Sequence, residues 1–358
     1  MPEVSFFVFP FLPVWVIEGL LYGSEPSKSL NAYAAENGRI RKEQGIMAVV
    51  IQLVLLVIGF VLLVKGADWF VEGASRLAEK FGIPQLVIGL TIVAMGTSLP
   101  EAAVSVSAAL KGSAEITIGN IVGSNIMNVL LILGITSVIT PIAVQKSTVK
   151  YEIPFVIIVS ALLMGIGLTD HVVSRGDGVL LWVLMICYLL YLLRMAKNGG
   201  DMPGEETKQE EMPVWKMLLF IVGGGVMIVV GSDVAVDAAT ELARIFGMSE
   251  RLIGLTIVAF GTSLPELVTS ATAAIKGKAD IAVGNIVGSN IFNILFVVGT
   301  SALITPVVYA ADFMVDSIMC IVSAVLLWVL VFKKHRLGRA GGACMLAGYA
   351  AYFVYLLR

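Results

Sequence analysis

The chain has 358 residues, of which 58% are hydrophobic and only 14% charged, with a formal net charge of -2 and a mean hydropathy of +0.93. Soluble domains carry about a quarter of their residues charged, so this composition excludes an ordinary water-soluble fold. The lack of any basic domain or stripe excludes a nucleic-acid partner.

Residues 1–46 differ from the rest of the chain. FFVFPFLPVWVIEGLLYG is apolar but holds two internal prolines, and it runs into the polar SEPSKSLNAYAAENGRIRKEQG. We read it as an N-terminal extension and expect Met47 to be the true start, because Arg41, Lys42 and Glu43 resemble a purine-rich ribosome-binding site translated in frame. From Met47 on, apolar runs of roughly 20 residues, each long enough to cross a bilayer as a helix, predict ten spans. Five lie near 47–65 (continuing into the amphipathic GADWFVEGASRLAEKFG), 87–110, 116–139, 152–169 and 177–194, and five near 214–231, 252–275, 281–304, 313–332 and 340–357. The polar stretch 195–213 divides them, so 47–194 and 214–358 are expected as two halves. The fold expected is all-α, an integral membrane protein. Cys187, Cys320 and Cys344 sit in apolar runs without ligand spacing and read as small buried hydrophobes. With no metal-binding histidines and no Cys–His pair, the chain does not read as an enzyme.

The two halves share one stretch. Gly89 to Asn128 and Gly254 to Asn293 align without a gap and agree at 28 of 40 positions, at an offset of 165 residues. The duplication extends to the end of the first span of each half, where Gly66 and Asp68 are answered by Gly231 and Asp233; these two aspartates are expected near the interface, as structural groups or weak entry sites. Five spans is an odd number, so the copies must enter the membrane from opposite sides, as inverted repeats do in many secondary transporters. The connections after odd-numbered spans hold 15 Lys and Arg, and the other side holds five. By the positive-inside rule, the linker 195–213 is cytoplasmic, and residue 47 and the C-terminus lie outside.

Each core copy carries GTSLPE followed by GNIVGSNI. Pro100 and Pro265 cannot donate to the carbonyl four residues back, which loosens the backbone at Gly96 and Thr97, and at Gly261 and Thr262. In lipid, broken backbone needs a partner in protein, water or an ion. Glu101 and Glu266 follow the prolines, four residues from Thr97 and Thr262 and so on the same helical face. Ser124 with Asn128, and Ser289 with Asn293, share faces in the next run. Two carboxylates, two amides, hydroxyls and loosened carbonyls form an all-oxygen set suited to a hard cation such as calcium. Ionisable groups in a span are costly and by default functional. The bland alternatives are a glutamate tied to a neighbouring helix, glycines that serve only packing, and outer asparagines (Asn120, Asn125, Asn285, Asn290) that hydrogen-bond between helices.

The paired motifs resemble the two alpha-repeats of the cation/calcium exchanger superfamily, nearest to prokaryotic sodium/calcium exchangers, and the likeness covers Met47 to Arg358. The resemblance implies an antiporter of ten helices in two inverted halves that exchanges sodium for calcium by alternating access, with no cofactor and no obligatory protein partner. It makes Glu101 and Glu266 the central carboxylates. Thr97 and Thr262 would coordinate through carbonyls, as would Ala94 and Ala259 at outer sodium sites. Ser98, Ser263, Ser124 and Ser289 would supply hydroxyls, and Asn128 and Asn293 amide oxygens. Some potassium-dependent relatives have aspartate where this chain has Asn293, which implies exchange that needs no potassium. The linker is too short for a calcium-sensing domain. The alternative reading is a proton/calcium antiporter, since a carboxylate desolvated in lipid can titrate near neutral pH.

Overall fold

A computed structural model describes residues 27–112, 114–198, 212–248, 259–311 and 313–356, with side chains of the first helix from Ile46 on. The chain forms two compact units, Met1–Leu53 and Val54–Arg358, and the second carries both copies of the shared stretch. Helix α1 is Ser27–Phe81. It is followed by α2 (Gln85–Thr97) and α3 (Leu99–Leu110), then α4 (Ile116–Ile139), α5 (Thr148–Asp170) and α6 (Arg175–Lys197). The second half comprises α7 (Val214–Ile245), α8 (Ala259–Thr262), α9 (Leu264–Ile275), α10 (Ala279–Ile304), α11 (Phe313–Phe332) and α12 (Arg339–Leu356).

Seven of the described helices are long and apolar enough to cross a membrane, and α2 with α3, bent by 51° at the break between them, makes an eighth if the pair counts as one span. The expected span at 87–110 is therefore broken in two. Pro100 occupies the first turn of α3, and Ser98, with φ -85° and ψ 10°, ends α2. The equivalent break separates α8 from α9 at Ser263, φ -93° and ψ 5°. Residues 249–258, where the expected span 252–275 begins, lie outside the described residues, as does most of the linker.

Helix α1 continues unbroken to Phe81, so Lys65 lies within a helix and not in a connection. Three further differences concern details that a 3.6-residue pattern does not distinguish. The helices widen into π-helical turns at Gly89–Val93, Asn128–Leu133, Thr148–Glu152 and Asn293–Val298. Two short antiparallel pairings, Ile142 with Leu337 and Val173 with Val307, tie one half to the other. Of the three cysteines only Cys320 is buried; Cys187 and Cys344 are exposed, because the outer face of a spanning helix meets hydrocarbon and needs no protein cover.

The apolar interior has two parts. The larger cluster joins α4, α5, α6, α10, α11 and α12. A separate one is built from Leu63, Ala67, Phe70 and Val71 of α1 and Ile228 and Ala235 of α7, packed on Ala273 and Ala274 of α9 and Ile281 of α10. Within it α1 and α7 touch backbone to backbone. A Cβ placed on Gly66 would lie 2.8 Å from the Gly224 carbonyl oxygen, and one on Gly231 2.7 Å from the Leu63 nitrogen. Glycine at these positions permits the close approach.

Candidate ion-binding site

The two breaks aim the site. Each serine that ends a short helix caps the next one without using its hydroxyl on its own backbone, so the hydroxyl is free to reach the other copy. Ser98 Oγ donates to Glu266 Oε1 at 2.9 Å, and Ser263 Oγ donates to Glu101 Oε1 at 3.5 Å. Both glutamates are fully buried and sit in the first turn of α3 and α9, where the helix dipole favours negative charge. Neither pairs with a lysine or arginine among the described residues. Their Oε2 atoms have no hydrogen-bond partner.

Asn128 and Asn293 open the π-helical turns of α4 and α10, which displaces them from the regular helical ladder. Asn128 Nδ2 donates to Asn290 Oδ1 at 3.0 Å, and Asn293 Nδ2 donates to Asn125 Oδ1 at 3.1 Å. Asn125 and Asn290 in turn donate to each other's backbone carbonyls at 3.2 and 3.3 Å. This knot of four asparagines fixes the amide orientation: with each Nδ2 engaged, Oδ1 of Asn128 and of Asn293 is left buried without a partner.

A second pair of asparagines braces the glutamate helices. Asn120 Nδ2 donates to Ser105 Oγ at 2.9 Å and to the Glu101 carbonyl at 3.1 Å. Asn285 Nδ2 does the same with Ser270 Oγ at 2.9 Å and the Glu266 carbonyl at 3.5 Å, and its Oδ1 accepts from Thr97 Oγ1 at 2.9 Å. All four outer asparagines thus hydrogen-bond between helices, the bland reading for them, yet in doing so they hold the inner groups in place.

The remaining expected residues are placed as follows. Thr97, Ser98, Ser263 and Ser289 are buried, as is Ser124, which shares α4 with Asn128; Thr262 is half-buried. The Ala94 carbonyl accepts from the Ser98 amide at 3.1 Å and from Ser289 Oγ at 3.4 Å. Ala259 begins α8, and its side chain lies outside the described residues. The carbonyl that Pro265 frees at Gly261 accepts from Ser232 Oγ of α7 at 3.0 Å, so here protein already meets the loosened backbone.

Two features escaped the sequence. Asp68 is not at a helix end: it lies within α1 and is bound by Lys276 Nζ at 2.8 Å. A third buried carboxylate, Glu152, is 1% exposed and accepts a hydrogen bond from Tyr191. It falls outside both repeats of the motif, beside a cavity of about 390 Å³ lined also by Phe155, Leu184 and Tyr188. No spacing in the sequence marks either.

The sodium/calcium exchanger protein family matches residues 51–194 and 216–358. The sodium/calcium exchanger MaX1 of Methanosarcina acetivorans is 32% identical over 323 residues, covering 79% of this chain and 92% of its own. The inner membrane protein YrbG of Escherichia coli is 38% identical over 297 residues, 79% of this chain and 90% of its own. Among solved structures, the sodium-calcium exchanger NCX_Mj soaked with sodium and no calcium superposes with a TM-score of 0.74 at 34% identity, covering 86% of this chain and 99% of its own. With both halves matched over nearly their whole length, the chain belongs to the sodium/calcium exchanger family.

Proposed function

We propose that this protein is a secondary antiporter that moves calcium out of the cell against sodium entering. Its one shared site is built by both copies, related as inverted repeats of five spans. The observation that carries the reading is the set of four buried oxygens without a partner: Oε2 of Glu101 and Glu266 and Oδ1 of Asn128 and Asn293. All four are acceptors, and no described lysine or arginine neutralises the two carboxylates. A buried charge without a partner costs several kcal/mol, so a cation is the natural occupant, and two glutamates balance one calcium or two sodium ions. Calcium takes six to eight oxygens; the other Glu oxygens, the Thr97 and Thr262 carbonyls, and Ser98, Ser263, Ser124 and Ser289 supply the rest, with Ala94 and Ala259 further out.

The same energetics couple the ions. Crossing with both carboxylates bare exposes the full cost of two uncompensated charges in a dry site, whereas either ion set removes it. Exchange is therefore favoured over leak. The excess of Lys and Arg on one side supports a cytoplasmic linker 195–213. The test is calcium uptake into liposomes loaded with sodium and diluted into sodium-free buffer, against a matched set carrying only a pH gradient. Uptake that follows sodium supports the reading. Uptake driven by the pH gradient alone makes the protein a proton-coupled antiporter.

A further inference from the structure

The two copies agree at the centre of the molecule and differ where their ends meet the long helices α1 and α7. At the end of α9, Lys276 Nζ lies 2.8 Å from Asp68 Oδ1 and 3.5 Å from Glu72 Oε2, and donates to the Asp68 carbonyl at 3.1 Å. Two residues on, Lys278 Nζ is 3.0 Å from Glu79 Oε1. The second copy thereby holds the first copy's long helix along one face of the protein. Each member of the triad has a counterpart at the repeat offset: Lys111 for Lys276, Asp233 for Asp68 and Asp237 for Glu72. Lys111 ends α3 as Lys276 ends α9, each before a glycine with positive φ, Gly112 and Gly277. Yet Lys111, Asp233 and Asp237 are all exposed, and none is in an ion pair among the described residues.

We propose that Lys276 and Lys111 are positioning residues for transport that act in alternation: Lys276 draws α1 in through Asp68 and Glu72 when one face is shut, and Lys111 draws α7 in through Asp233 and Asp237 when the other is. The proposal rests on the inverted-repeat reading above, which puts the two triads on opposite faces. A duplicated chain that opens to one side at a time cannot have both triads open at once, and one closed with one open is the arrangement expected of a state shut on one face. Helices α1 and α7 share an apolar cluster with α9 and α10 and meet closely through glycines, so each triad ties a packed helix pair to the end of the helix that carries its lysine. The pair Lys278–Glu79 has no counterpart, since Ser113 and Arg244 occupy the equivalent positions. The face that carries Lys276 is therefore the more firmly held, and the protein rests with that face shut.

The test uses the full chain with Cys187, Cys320 and Cys344 replaced by alanine. One variant carries cysteines at Asp68 and Lys276, another at Lys111 and Asp233, and each is treated with a short bifunctional thiol reagent in sodium, in calcium and without either. Both pairs are expected to cross-link. Lys276→Gln should raise the yield of the 111/233 pair, and Lys111→Gln that of the 68/276 pair, each by about two- to fivefold, the scale of partly exposed ion pairs, while Lys276→Arg leaves it unchanged. A 111/233 pair that never cross-links while 68/276 does, or yields that ignore the lysine variants, overturns the proposal and leaves the closed triad a fixed tether. Cross-linking does not depend on which ion is carried, so a wrong cargo shows in the flux assay and leaves this result standing.

Discussion

The two copies of the core are most alike where they meet and least alike where they end. At the centre, Ser98 reaches Glu266, Ser263 reaches Glu101, and Asn125 and Asn290 exchange equivalent hydrogen bonds. At the ends, Lys276 is held by two carboxylates while Lys111 is in no ion pair among the described residues. The difference separates two demands on a duplicated transporter. On the proposed function, an ion bound at the centre would meet both copies alike, whereas access from one side at a time would make the two ends differ.

Perturbing the centre should therefore cost most, and equally in either copy. Glu101→Gln and Glu266→Gln should each lower calcium flux in liposomes at least about a hundredfold, the scale of ~3 kcal/mol for breaking a buried charge pair, at unchanged yield of folded protein. A large loss in one and a small loss in the other would break the symmetry. Asn128→Ala and Asn293→Ala come next. Each removes one unpartnered oxygen and a hydrogen bond to the other copy, and should weaken calcium binding about tenfold, as loss of a buried hydrogen-bonding group does; calorimetric titration reads this. Gly66→Ala acts away from the site. Its Cβ would meet the Gly224 carbonyl at 2.8 Å, and overpacking of ~1–3 kcal/mol should lower the thermal midpoint of the detergent-solubilised protein while calcium affinity holds. The smallest effect is expected at Glu152, buried but outside both copies: Glu152→Gln should leave calcium affinity unchanged, and loss of binding there would extend the site beyond the repeats. With asparagine at 293, replacing potassium by choline should likewise leave the exchange rate unchanged.

Much of the candidate site was legible because lipid makes buried polar groups conspicuous and the duplication repeats them. Glu101, Pro100 and Asn128 stood out against an apolar run, and their equivalents repeated the pattern. The loosened backbone at each proline is readable from the residues, though not that Ser98 and Ser263 turn across it to the opposite glutamate. That contact joins residues more than 160 apart, which no local spacing encodes. The π-helical turns at Asn128 and Asn293 were hidden for another reason: in an apolar stretch, periods of 3.6 and 4.4 residues both keep every position hydrophobic. Lys65 and Asp68 read as interfacial although both lie within α1, because the lysine that neutralises Asp68, Lys276, comes from a distant part of the chain. The exposed cysteines show the remaining ambiguity, since an apolar residue in a span faces either protein or hydrocarbon at similar cost.

On the proposed function, both copies contribute to one site that sodium and calcium share. Equilibrium calcium binding to the purified protein, with sodium as competitor, tests it most directly when run beside Glu101→Gln and Glu266→Gln. Sodium is expected to displace calcium from the native protein, and either substitution alone to remove calcium binding. Calcium binding that survives in one of the two variants, or that sodium does not displace, would contradict it.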